Sequence, residues 1–75
     1  MTMLDVVFRY GVPPDENEMR ALGNVREVYG IRAIRFNEKE RTVRVEFDAS
    51  RLNDDVVESL LRKAGLDITE RVQLV

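Results

Sequence analysis

The sequence predicts an α+β sandwich of four short strands and two helices in the order β-α-β-β-α-β. Three observations carry that prediction. Apolar and polar residues alternate with period two in four short runs. Two segments between those runs repeat their apolar residues at helical spacing instead, each behind a capping residue. Between the second and third runs lies only the polar stretch from Asn37 to Arg41, short enough for an antiparallel hairpin.

The first run, Leu4 to Tyr10, places Leu4, Val6, Phe8 and Tyr10 on one face and Asp5, Val7 and Arg9 on the other. Gly11-Val12-Pro13-Pro14 ends it, because proline has no N–H for a ladder. Asp15 with Glu18 three residues on predicts a capping box, and Glu16 complements the helix dipole. The first helix then carries Met19, Leu22, Val25 and either Val28 or Tyr29 as its apolar stripe, with Gly30 as its terminal glycine. The second strand is Ile31 to Phe36, with Ile34 and Phe36 inward. The third is Thr42 to Asp48, with Val43, Val45 and Phe47 inward.

Asn53 predicts the cap of the second helix, with Asp54 and Asp55 in its first turn. Its stripe is Val56, Val57, Leu60, Leu61 and Ala64, and Gly65-Leu66 suits a Schellman ending. Thr69 to Val75 is the last strand, with Val72 and Leu74 inward. The expected assembly is the ferredoxin-like one: a four-stranded antiparallel sheet of order 4-1-3-2, both helices on one face and the other face open.

Seventy-five residues make one domain, 1–75, whose small core supplies only a few kcal/mol, about 3–5. There is no cysteine and no histidine, which excludes thiolate and imidazole metal sites and a Ser-His-Asp triad. Charged residues make up 35% of the chain, yet the net charge is only −2. That balance gives no global attraction to nucleic acid or anionic lipid. The segment from Met1 to Asp5 lacks a basic region and a long apolar run, so we expect a complete cytoplasmic chain without a leader or membrane span.

Gly11-Val12-Pro13-Pro14-Asp15-Glu16-Asn17, followed without a gap by Ala21, Val25, Val28, Gly30 and Ile31, resembles the heavy-metal-associated domain of copper chaperones and metal-transporting ATPases. The strand Val43-Arg44-Val45-Glu46-Phe47-Asp48 and the ending Ala64-Gly65-Leu66-Asp67-Ile68 are similar to that family's corresponding segments. The resemblance implies the same βαββαβ fold and, since such domains dock on proteins, a polypeptide partner. The family's two ligand cysteines fall on Pro14 and Asn17. Proline offers no donor atom and an amide is a poor ligand for Cu(I), so the resemblance does not carry soft-metal binding to this chain.

Two groups of residues are candidate sites. Asp15, Glu16 and Glu18 form an acidic loop that suits a hard divalent ion, though acids at a helix start ordinarily serve as caps. Period-two counting puts Arg9, Arg35, Arg44 and Arg71 on the open face, one per strand, where they suit an anion or pair with acids such as Glu46 and Asp5. No aromatic residue shares that face, which argues against base stacking and so against nucleic acid as a partner. The edge strands, the second and fourth, offer a further surface for a partner or a second copy. The expectation is a non-enzymatic interaction domain without a cofactor, the alternative being a protein that binds a small anion or a hard divalent ion.

Overall fold

The computed structural model describes residues 2–74 and has the expected order: β1 (Met3–Tyr10), α1 (Glu16–Val25), β2 (Ile31–Asn37), β3 (Thr42–Asp48), α2 (Asp54–Lys63) and β4 (Ile68–Leu74). All three strand pairings are antiparallel, and the sheet order is β2-β3-β1-β4. This is the ferredoxin-like arrangement, with a 4-1-3-2 sheet read from the other edge.

The caps act as the sequence predicts. Asp15 accepts from the Glu18 N–H at 2.8 Å, and Glu18 accepts from the Asp15 N–H at 2.8 Å, completing the capping box. Asn53 accepts from the Val56 N–H at 2.8 Å. At the end of α2, the Gly65 N–H donates to the Arg62 carbonyl and the Leu66 N–H to the Leu61 carbonyl, the two bonds of a Schellman motif. Gly65 has φ +100°, a conformation that a side chain disfavours. Helix α1 stops at Val25, five residues before Gly30, and tight turns carry the chain from Arg26 into β2.

One core lies between the sheet and the helices. Val6, Phe8 and Tyr10 of β1 and Val43, Val45 and Phe47 of β3 meet Leu22, Val25, Val57 and Leu61 from the helices. Val28 packs against this core, whereas Tyr29 is 71% exposed, which decides between the two predicted positions. Met19 and Val56 are exposed too, so the helix stripes are narrower than their apolar residues.

Bulges change the phase of two strands. In β2 the register slips between Ile31 and Ala33, so Ile31 and Ile34 are both buried despite their odd spacing. In β4 the register against β1 slips twice, because Tyr10, Arg9, Phe8 and Val7 face Ile68, Glu70, Arg71 and Gln73 in turn. Thr69 and Val72 are the extra residues. The expectation for β4 is therefore corrected: Ile68 is buried, Val72 is 44% exposed, and Arg71 faces the helix layer beside Phe8. Val75 and the side chains of Gln73 and Leu74 lie outside the described residues.

Candidate functional site

The loop after β1 is tied down from two directions. The Gly11 N–H donates to the Asp67 carbonyl at 3.0 Å, and the Val12 N–H to the Asp67 carboxylate at 3.1 Å. Arg41, at the β2–β3 turn, donates to the Gly11 carbonyl at 2.9 Å. These bonds hold the apolar loop residues over one end of the sheet. There Tyr10, Pro13, Pro14, Met19, Phe36 and Glu38 line a cleft of about 170 Å³. Tyr10 and Phe36 form its floor as an edge-to-face pair, 5.8 Å between ring centroids. Val12 is 64% exposed and Met19 42%, so much apolar surface around the loop faces solvent. Burial, with help from Glu38, raises the Tyr10 pKa above the ordinary phenol value.

The acids of this loop are already engaged. Asp15 and Glu18 satisfy each other's backbone in the capping box, and Glu16 pairs with Arg20 at 3.2 Å. Asp15, Glu16 and Glu18 do not form a group that could hold a metal ion. Pro14 is half-buried at the cleft, while Asn17 stands exposed on the first turn of α1.

The structure brings three of the four predicted arginines to the open face. Arg9 pairs with Glu70 at 3.4 Å and Arg44 with Asp5 at 3.7 Å. Arg35 lies directly opposite Arg44 in the β2–β3 ladder. Arg71 does not join them. Its guanidinium reaches Asp54, Asp55 and Glu58 at the start of α2, and Glu58 in turn pairs with Arg62 at 3.1 Å. The Asp55 hydrogen bond, with contributions from Glu58 and Asp54, raises the Arg71 pKa further. Counting along the sequence misses Arg32, which the β2 bulge lets pair with Glu46 at 3.1 Å. The open face is thus largely a lattice of cross-strand ion pairs.

Both candidate edges carry the features that discourage strand addition. β2 and β4 are bulged, and the Arg26 guanidinium takes up the Ile34 carbonyl on β2 at 3.1 Å.

The far end of the sheet has its own feature. Arg51 stacks on Tyr29 at 4.1 Å and pairs with buried Asp48 at 3.7 Å. Asp48 also accepts from the Ser50 hydroxyl at 2.7 Å and the Ser50 N–H at 3.0 Å. Those two bonds, led by the hydroxyl, lower the Asp48 pKa, and the Arg51 charge adds to the effect. A shallow hollow lined by Met3, Tyr29, Ile31 and Arg32 adjoins this group.

Among the described residues, no helix is long and apolar enough to cross a membrane. In comparisons with known proteins, no family model and no curated protein matches this chain.

Proposed function

We propose that this chain is a non-enzymatic interaction domain, similar to a heavy-metal-associated domain but without its metal ligands, that docks a polypeptide through the cleft beside the β1–α1 loop. The carrying observation is the exposure of Val12 and Met19 around a cleft walled by Pro13, Pro14 and Phe36. Interfaces are enriched in such methionine and aromatic surface, and the prolines present carbonyl acceptors without competing N–H donors. Glu38 on the wall places a carboxylate at the cleft. The partner segment therefore presents an apolar side chain next to a lysine or arginine.

Catalysis has less support. The Ser50 hydroxyl is spent on Asp48, and there is no histidine or cysteine to serve as base or nucleophile. A hard-ion site at Asp15, Glu16 and Glu18 would have to break the capping box that holds α1.

Selection from a displayed peptide library tests the reading. Enriched peptides should share an apolar residue beside a basic one and should shift the amides of residues 12–19 and 36–38. Met19→Glu should abolish their binding while leaving the fold intact, since Met19 lies outside the core. Failure to enrich any peptide, or shifts centred on Tyr29 and Arg51, would overturn it.

A further inference from the structure

We propose that the open sheet face holds a phosphate-type dianion between Arg35 and Arg44, a site that shares only Phe36 with the docking cleft and is argued independently of that reading. Arg35 and Arg44 are direct cross-strand partners, so two like charges face each other in the ladder. Like charges directly opposite are destabilising, and an anion between the guanidinium groups would relieve the repulsion that Asp5 offsets only from the Arg44 side. Every other arginine has a partner. Arg9, Arg20, Arg32, Arg44, Arg51, Arg62 and Arg71 pair with carboxylates, and Arg26 and Arg41 donate to carbonyls. Among the arginines of the described residues, Arg35 alone has no ion pair or side-chain hydrogen bond, and the Asp5 partner of Arg44 stands off at 3.7 Å.

The surroundings complete the site. Val7, Arg35, Phe36, Asn37, Thr42 and Arg44 line a hollow of about 260 Å³ that contains no carboxylate. Asn37 faces Thr42 in the next cross-strand pair. The Asn37 side-chain Oδ1 accepts from the Glu40 N–H at 3.3 Å, leaving its NH₂ group as a donor. Two guanidinium groups, an amide and a hydroxyl thus converge on one hollow. A carboxylate fills one guanidinium fork, whereas the three terminal oxygens of a phosphate monoester can engage both arginines and a neutral donor. Val7 and the edge of Phe36 provide apolar surface for an organic substituent.

Amide-shift titrations with inorganic phosphate and with phenyl phosphate, at constant ionic strength, test the site. We expect saturable shifts at Arg35, Asn37, Thr42 and Arg44, stronger at pH 7.5 than at pH 5 because the second phosphate pKa is about 6. Tighter binding of phenyl phosphate would assign a small phosphate ester as the ligand; equal binding would assign free phosphate. Arg35→Gln should weaken binding by roughly tenfold or more, as expected for loss of a charge-assisted hydrogen bond. Arg32→Gln, on a guanidinium outside the hollow, should leave binding unchanged. In phosphate-free buffer Arg35→Gln should match or exceed the native urea midpoint, so that its weaker binding reads the site and not the fold. Unsaturable shifts spread equally over Arg9, Arg32, Arg35 and Arg44, or full binding by Arg35→Gln, would overturn the proposal.

Discussion

Arg71 faces Phe8 across the β1–β4 ladder, and its guanidinium lies 5.7 Å from the Phe8 ring, on the helix side of the sheet. From there it joins the edge strand β4 to Asp54 and Asp55 in the first turn of α2 and to Glu58 in the next. Asp54 and Asp55 also complement the helix dipole, so one cation serves both the helix start and the strand.

Removing that cation should loosen β4 and α2 together. Arg71→Ala is expected to cost about 1–2 kcal/mol, the range for charge-assisted bonds discounted for partial solvent exposure. Arg71→Met should cost less, because an unbranched apolar chain still covers the edge of the core. Urea denaturation would measure both. Raising the salt concentration should narrow the gap between wild type and Arg71→Ala; a gap insensitive to salt and equal for both variants would assign Arg71 a purely steric role.

Two glycines should respond in opposite directions to the same substitution. At Gly23, inside α1, an added methyl group meets nothing within 4 Å, so Gly23→Ala should stabilise by about 0.5–1 kcal/mol. At Gly65, φ is +100° and a Cβ would come within 2.9 Å of the Glu18 carboxylate. Gly65→Ala should therefore destabilise by about 1–2 kcal/mol from the left-handed backbone alone, and more if Glu18 is pushed out of its capping box. Thermal melts would show the contrast, since about 1 kcal/mol moves the midpoint of a domain this size by roughly 4–8 °C.

The caps behind those predictions were legible in the sequence, because they are local. Asp15 with Glu18, Asn53, and Gly65 with Leu66 lie within a few residues of the backbone groups they satisfy, and each forms the expected bond. The alternation of β1 and β3 was equally legible, since neither phase is broken in their mutual pairing. A bulge is different, because it depends on the partner strand. Counting by twos through Thr69 and Val72 assumes a regular ladder, and so it puts Arg71 on the wrong face and leaves Ile68 out of the core. The loop-end cleft was hidden for a related reason. Met19 has the right spacing for the core stripe, and only the packed structure leaves it exposed beside Pro13 and Pro14.

Acid should unfold the protein partly through Asp48. Its carboxyl is held below the usual carboxylate range, chiefly by the Ser50 hydroxyl and then by the Ser50 N–H, with Arg51 assisting. A folded-state pKa lower than the unfolded one makes the ionised group stabilising. That contribution is complete above the unfolded value of about 3.9 and is lost as pH falls through the folded value. Asp48→Asn should therefore be less stable than wild type at pH 7. The difference should hold down to about pH 5 and narrow below pH 4. A difference that stays constant to pH 2 would assign the cost to packing and not to charge.

The proposed resemblance to heavy-metal-associated domains can be tested by placing that family's ligands at the corresponding positions. Pro14 lies at the cleft just before the Asp15 cap, and Asn17 is on the first turn of α1; the proposed resemblance would put the family's two ligand cysteines at these positions. Asn17 is exposed, so its replacement should leave the fold unharmed. The loop holding Pro14 is fixed independently by Asp67 and Arg41. The double variant Pro14→Cys with Asn17→Cys should therefore bind Cu(I) or Zn²⁺ through both thiolates, with either single variant binding much more weakly. Competition against a chromophoric chelator would measure the gain, and a thiolate-to-metal absorption band would identify the ligands. If the double variant folds but gains no affinity over the single ones, the loop differs from the family's in backbone shape as well as in side chains, and the resemblance would then support the fold alone.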